Sequence, residues 1–352
     1  MSINYSSIAT ELVEWYVQHK RVLPWRATKN PYLIWVSEII LQQTTVRQGL
    51  PYYLKFIDRF PNIGALATTP EDDLLKLWEG LGYYSRARNM HHAAKLIYTK
   101  YGGQFPDNYD DIRALKGVGD YTAAAVASIA YELPYPVVDG NVIRVVSRLL
   151  NISDPVDTRP VLNQIQVACK KLIKDQQPSV FNQAIMELGA LVCTPKNPNC
   201  TECPIKNHCS ARALDTVSAI PFKSKKLKKK SRYFQYFKIE SDEKIVLQKR
   251  IGKDIWRGLY QFPMIELDKA TFQQKPRRLP LSLSPQLIKE DSAKAYKQTL
   301  THQLIFAQFY KVYAELKDLP NEYILVNKEA LSSYAFPKVI DLYLNDKSIP
   351  LF

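Results

Sequence analysis

The residues able to do chemistry fall in four places along the 352-residue chain. The first is a carboxylate, Glu38, in the run PYLIWVSEIILQQ at 31–43. Ile34 lies one helical turn before it, as does Trp35, and Leu41 one turn after, so a helix puts Glu38 on its apolar side. An ionised carboxylate among apolar side chains is costly, so its pKa rises and it can donate a proton near neutral pH. The plain alternative is a Glu satisfied by a neighbouring helix end. The second place is LKGVGDYTA at 115–123, where Gly117 and Gly119 permit left-handed backbone angles. A tight turn there aims backbone N–H groups outward, beside the positive end of a helix running from about Thr122 to Tyr131, and so suits a phosphate. Pro134 and Pro136 stop that helix. The third is Asp139 in VVDGNV, a carboxylate just before another helix, whose plain alternative is an N-cap. The fourth is Cys193, Cys200, Cys203 and Cys209, spaced C-x6-C-x2-C-x5-C. Zinc accepts four thiolates, but its usual sites pair two close knuckles, and here one pair is close. A [4Fe–4S] cluster also takes four cysteines and tolerates uneven loops.

These groups need elements to carry them. Residues 5–20 read as an amphipathic helix with Ile8, Leu12, Trp15 and Tyr16 on one face. HKRVLPWR turns at Pro24 and leads into the Glu38 helix. Residues 52–101 continue helical, and Thr69-Pro70-Glu71 is a helix start. Within them GLGYYSRARN holds two tyrosines and two arginines beside two glycines. That suits insertion into stacked bases, or equally a core tyrosine pair with solvated arginines. His91 and His92 have no partner at ligand spacing. A helix over 142–151 sets Arg144 and Arg148 one turn apart, as a phosphate-facing stripe or a salt-bridge face. Two helices follow over 159–191, with Cys169 a buried thiol. Lys196, Lys206 and His208 suggest that the cysteine loop also meets phosphate.

Net charge is +14 and hydrophobic residues make up 46% of the chain, so real cores are possible and a polyanion is the expected partner. Charge alone does not separate DNA from RNA or a membrane surface. No apolar run is long enough to span a bilayer, and the N-terminus lacks the order of a signal peptide, so a cytoplasmic location is expected. Four of the five cysteines crowd between 193 and 209, a metal-site distribution rather than a disulfide framework. Residues 221–232, PFKSKKLKKKSR, carry seven basic residues and no acid. They read as a tether, a basic strap along DNA, or both. Beyond them RYFQYFKIE, KIVLQKRI, GLYQFPMIEL and the run 304–316 are strand-like, with a helix near 339–344.

LKGVGDYTA followed by VVDGNVIRV resembles the helix-hairpin-helix, loop and aspartate of base-excision DNA glycosylases. WVSEIILQQT and WEGLGYYSRARN resemble the MutY-type adenine-DNA glycosylases, and the cysteine spacing resembles the iron–sulfur loop of the endonuclease III and MutY families. The resemblance covers nearly the whole chain. It implies a multi-domain protein: an all-α helix-hairpin-helix glycosylase of two helical lobes, residues 1–216, with the hairpin at about 110–131 and the iron–sulfur loop at 193–209. A basic linker, 217–231, would join it to an α+β Nudix-like domain, 232–352. IWRGLYQFPMIE resembles the W-x-G-L-x-x-F-P element of Nudix folds. No REx2EExG-like segment is present, so this domain should bind a nucleotide feature rather than hydrolyse one.

The resemblance also implies roles. Glu38 protonates adenine, and Asp139 stabilises the sugar cation, with Tyr121 and Asn141 as positioning groups. Arg26 lies near the base pocket. Leu41 and Gln43 lie at the DNA wedge, Tyr83 intercalates, and Gly117 and Gly119 clamp the backbone. The four cysteines hold a [4Fe–4S] cluster. Thr301 and His302 face 8-oxoguanine, in a loop reading Leu300-Thr301-His302 where the family usually has Phe-Ser-His. A lysine nucleophile of the bifunctional relatives is replaced by Tyr121, so a monofunctional enzyme is expected. Its substrate would be double-stranded DNA with adenine opposite 8-oxoguanine or guanine, bound by a monomer. Two other classes compete: a pyrimidine-mismatch glycosylase, which would not need the C-terminal module, and a non-catalytic damage binder, which would not need both carboxylates.

Overall fold

The computed structural model describes residues 3–224, 228–276, 278–281, 287–290, 295–316 and 319–346. It forms two compact units, 1–68 with 89–226, and 69–88 with 227–352. Residues 69–88 therefore group with the C-terminal part, although their sequence reads as a continuation of the helical part. No helix among the described residues is long and apolar enough to cross a membrane.

The helices run in the order α1 (Tyr5–His19), α2 (Pro31–Leu41), α3 (Val46–Arg59), α4 (Ile63–Thr68), α5 (Glu71–Leu77), α6 (Ser85–Lys100), α7 (Tyr109–Ala114), α8 (Asp120–Tyr131), α9 (Gly140–Leu149), α10 (Arg159–Ile173), α11 (Pro178–Leu191) and α12 (Ser210–Ala213). In the first unit, α2 packs on α3 and α8, and α7 on α8. A second group joins α1, α9, α10, α11 and α12, and the two groups meet where α11 crosses α8. This matches the two helical lobes expected.

Local chemistry sets the helix ends that matter. Asn30 caps α2 through Tyr32 N, with Pro31 in the first turn. Ile34, Trp35, Val36, Ser37, Glu38, Ile39 and Ile40 are then all buried, so α2 is enclosed on nearly every side rather than on one stripe. α8 ends at Glu132, which takes a left-handed φ of 55° ahead of the two prolines. Its carboxylate holds Lys29, Gln177 and Ser179.

The loop from Glu132 to Asp139 has no regular structure of its own. Asn182 of α11, fully buried, supplies what it lacks. Its Oδ1 accepts from Val137 N at 3.0 Å, and its Nδ2 donates to Tyr135 O at 2.9 Å and to Ser128 Oγ at 2.8 Å.

Residues 217–224 are not a free tether. Val217 O and Ile220 O accept from Arg148 Nε, Phe222 O accepts from Val156 N at 2.9 Å, and Ser224 bonds to Asp157. Of the expected linker, 225–227 lie outside the described residues, and the first strand already begins at Lys230.

The second unit is built on strands β1 (Lys230–Ser241), β2 (Lys244–Lys249), β3 (Tyr260–Gln261), β4 (Met264–Leu267), β5 (Leu287–Glu290), β6 (Tyr296–Thr299), β7 (Gln303–Tyr313) and β8 (Tyr323–Asn327), with short α13 (Lys269–Phe272) and α14 (Lys338–Leu344). β1 and β7 pair in parallel from Lys230 opposite Gln303 to Glu240 opposite Tyr313. The other pairings are antiparallel, in the order β3-β2-β1-β7-β5 with β4 on β1, β6 on β7 and β8 on β2. Phe237, Ile239, Val246, Tyr310 and Val312 form one of its cores. α5 belongs here through polar contacts: Asp72 accepts from Lys249 Nζ at 2.5 Å and Tyr260 OH at 2.9 Å, and Glu79 accepts from Phe336 N at 2.8 Å.

Replacing Asn182 by Ala strands Val137 N–H in the interior and removes the partner of Tyr135 O and of the buried Ser128 Oγ. Each unmet group costs about 1–3 kcal/mol, so the variant should unfold at a clearly lower temperature than the parent in a calorimetric scan.

Candidate active site

A cavity of about 410 Å³ opens where the two helical groups of the first unit meet. That is the size of a small-molecule pocket. α2 contributes Glu38 and Leu41, α8 Tyr121, and the start of α9 Asp139 and Asn141. α11 adds Gln183, Met186 and Glu187, and the segment before α2 adds Arg21 and Arg26. Six expected residues (Glu38, Asp139, Tyr121, Asn141, Arg26 and Leu41) thus come together, although they span more than a hundred positions.

Glu38 is 8% exposed, and burial pushes its carboxyl up to about 7. Tyr121 OH donates to its Oε2 at 2.6 Å and pulls the other way, as does Arg26, while Asp139 reinforces the rise. The phenol of Tyr121 is itself pushed far up by burial, so it stays a donor.

Asp139 has two jobs. Its Oδ1 accepts from Val142 N at 2.8 Å and caps α9, and its Oδ2 accepts from Asn141 Nδ2 at 2.8 Å in the cavity wall. Burial is the larger effect and raises its pKa, while these bonds offset part of the rise. Two carboxyl groups in one cavity therefore have unlike surroundings, which is how acid and base roles are separated.

Glu187 was not singled out from sequence, and it is the central charge of the wall. It is 1% exposed and pairs with Arg21 at 2.5 Å and Arg26 at 2.8 Å. Its signal was the one that exposed Glu38: a lone acid in an apolar helical run, FNQAIMELGALVC.

Arg144 and Arg148 form neither a phosphate stripe nor a salt-bridge face. Both are buried. Arg144 donates to Asn141 Oδ1 at 2.9 Å, Gly189 O at 2.7 Å and Cys193 O at 2.7 Å. Arg148 donates to Thr194 O at 2.8 Å and Cys193 Sγ at 3.4 Å. Carbonyls of the irregular cysteine loop need donors, and α9 supplies them.

The four cysteines are unpaired thiols lining one cavity with Val145, Leu149, Leu188 and Ile205. Burial raises the Cys203 thiol to about 12 and also raises Cys209. Among the described residues no three His, Cys, Asp or Glu side chains converge on a single ion. Four thiols around one apolar-walled space fit a [4Fe–4S] cluster, which takes four cysteines on unevenly spaced loops. Lys206 Nζ donates to Thr201 O at 2.7 Å, and His208 Nε2 lies 2.9 Å from Glu11 Oε1. Both are held by bonds to the protein itself.

Between α7 and α8, Gly117 takes φ +82°. Gly119, contrary to expectation, is extended and serves as the N-cap of α8, with no side-chain hydrogen bond to the first turn. A Cβ at Gly119 would meet nothing within 4 Å.

Gln43 follows α2, exposed, at φ +58°. In the second unit Tyr83 is 46% exposed at φ +49°. Tyr84 and Arg86 are buried instead, with Arg86 lying over the Trp78 and Tyr83 rings. The Tyr83 hydroxyl bonds that of Thr301. Both line a cavity of about 460 Å³ with His302 and Trp256.

The chain matches three family models. Residues 36–171 match the HhH-GPD superfamily of base excision DNA repair proteins, residues 193–209 the iron–sulfur binding domain of endonuclease III, and residues 235–346 the NUDIX domain. It is 38% identical over 255 residues to the adenine DNA glycosylase of Buchnera aphidicola subsp. Baizongia pistaciae, covering 72% of each chain. It is 34% identical to that of Buchnera aphidicola subsp. Acyrthosiphon pisum, covering 79% of this chain and 80% of the relative. Among solved structures it resembles a thermostable thymine-DNA glycosylase with a TM-score of 0.54 and 28% identity, over 58% of this chain and 95% of the other.

A Cβ at Gly117 would stand 2.6 Å from Asn89 Cβ and at a φ that L residues avoid. Gly117→Ala should therefore cost about 1–3 kcal/mol and weaken duplex binding, read by thermal unfolding and by titration of a labelled duplex.

Proposed function

The chain belongs to the adenine DNA glycosylase family, and from that premise we propose that it flips adenine out of a duplex where adenine faces 8-oxoguanine or guanine, and hydrolyses its glycosidic bond without strong strand cleavage. The observation that carries this reading is the pair Glu38 and Asp139 in one cavity, one carboxyl raised to about 7 and the other held by two N–H donors.

A base inside a duplex must leave the stack before chemistry can reach it. Glu38, protonated near neutral pH, delivers a proton to an adenine ring nitrogen and makes the base a better leaving group. The sugar then develops oxocarbenium character, as in glycoside hydrolysis by two carboxylates. Asp139 stabilises that cation and can trap it, and water completes hydrolysis with help from Glu38. Tyr121 holds Glu38 Oε2, and Asn141 holds Asp139 Oδ2. Tyr121 stands where a lyase would need lysine, and a phenol forms no Schiff base with the sugar.

Leu41 and Gln43 enter the gap beside the flipped base, as does Tyr83. Gly117 and Gly119 hold the backbone phosphate, and Thr301 and His302 read 8-oxoguanine. Cys193, Cys200, Cys203 and Cys209 hold the [4Fe–4S] cluster, which when bound cross-links a loop that has little regular structure of its own. The enzyme works as a monomer on duplex DNA in the cytoplasm.

Glu38→Gln should slow single-turnover adenine release at least ~100-fold while leaving duplex binding intact; retained turnover would remove Glu38 from the acid role. Asp139→Asn keeps an equally good N-cap, so it should lose chemistry with little change in thermal stability. A stability loss with chemistry preserved would reduce Asp139 to a cap. Strand breaks should appear only after alkali. Thr301→Ala should narrow the preference for A:8-oxoguanine over A:G duplexes, measured as the ratio of rates on the two substrates.

A further inference from the structure

Away from Asp139, the wall of the Glu38 cavity holds two guanidinium groups, Arg21 and Arg26, and the buried carboxylate of Glu187. Glu187 receives five hydrogen bonds. Oε1 accepts from Arg21 N, Arg21 Nε and Arg26 Nη1, each at 2.9 Å, and Oε2 accepts from Arg21 Nη2 at 2.5 Å and Arg26 Nη2 at 2.8 Å. Both oxygens are filled, so Glu187 has no lone pair left for a base. Arg26 Nη1 also donates to Arg21 O at 3.1 Å, which fixes its guanidinium in the wall.

We propose that Glu187 is a positioning residue for proton donation: it anchors Arg21 and Arg26 in the cavity wall and cancels one of their two charges, which keeps Glu38 protonated near neutral pH. This rests on the reading of Glu38 as the acid. A cation beside a buried carboxyl favours its ionised form. Two uncancelled guanidiniums would strip the proton that the reaction needs; with Glu187 in place the Arg21–Arg26–Glu187 cluster carries a net single positive charge. The paired arginines hold Glu187 itself down to about 2, so its charge is constant across the working range.

The charged and titratable groups that share the cavity with Glu38 are Tyr121 of α8, Asp139 at the start of α9, Glu187 of α11, and Arg21 and Arg26 before α2; Arg144 of α9 lies behind Asn141. On α2 itself Tyr32 turns away and donates to Phe60 O at 2.6 Å. Of these groups, Arg26 is a cation that acts on Glu38 and also touches Glu187.

The test is the pH profile of single-turnover adenine release from a duplex with adenine opposite 8-oxoguanine, using the full-length, cluster-loaded protein. Glu187→Gln should move the alkaline limb down by about one pH unit, a loss of about tenfold in rate above the limb. The acid plateau and affinity for a non-cleavable duplex should change far less. Glu187→Asp keeps the charge and should restore the limb. Arg26→Gln, which leaves Glu187 with Arg21, should move the limb up and serves as the independent arm should Glu187→Gln fold poorly. A uniform loss of rate with an unmoved limb in Glu187→Gln, or a limb that stays or falls in Arg26→Gln, overturns the proposal while Glu38 remains the acid. Full turnover in Glu38→Gln instead removes the acid assignment, and the proposal with it.

Discussion

A carboxyl group enclosed by apolar side chains is the constraint on which the catalytic unit turns. α2 is buried on nearly all sides, so Glu38 stands largely desolvated at the cavity wall. The fold meets this by raising the pKa and by offering one strong donor, the Tyr121 hydroxyl, from the helix packed directly on α2. The position of α8 is thus tied to that single side chain, and α8 begins from its N-cap Gly119, beside the left-handed turn at Gly117. The glycine turn and the partner of Glu38 share one helix.

α9 does the same for the other half of the chemistry. Its N-cap is Asp139, and the next turns carry Arg144 and Arg148 into the cysteine loop. A loop with little regular structure of its own takes donors from the helix whose first residues line the Glu38 cavity. Arg144 contacts both Asn141 and Cys193, so the loop and the Asp139–Asn141 pair have a guanidinium in common. On the opposite side Asn182 ties the loop before Asp139 to α8 and α11. The carboxylate is held from both directions along the chain.

The second unit is organised by the long parallel pairing of β1 and β7, which sets the register of the loop just before Gln303. Thr301 and His302 sit there, and the backbone of His302 accepts from Lys230 N at 2.9 Å. The Tyr83 turn belongs to this unit through α5, whose acidic side chains bond to strand and loop residues. Both Tyr83 and Gln43 occupy left-handed backbone positions, strain that functional loops often store.

The sequence by itself determined the helix set, the turn at Gly117, the cysteine spacing and the two carboxylates, because each is written in short-range pattern. Apolar periodicity located Glu38 on a buried face, and a single aspartate before a helix marked Asp139. The change from helical to strand periodicity marked the second unit. What tertiary structure alone decided were matters of who meets whom across long stretches of chain. Arg144 and Arg148 read as a surface stripe because one-turn spacing says nothing about which way a helix faces. Burial against the cysteine loop decided that. The membership of residues 69–88 in the second unit depends on partners such as Lys249 and Phe336, distant in sequence and unmarked by any local signal. Glu187 gained its meaning only when Arg21 and Arg26 closed on it, because an ion pair inside a wall is a property of packing, and packing is not periodic.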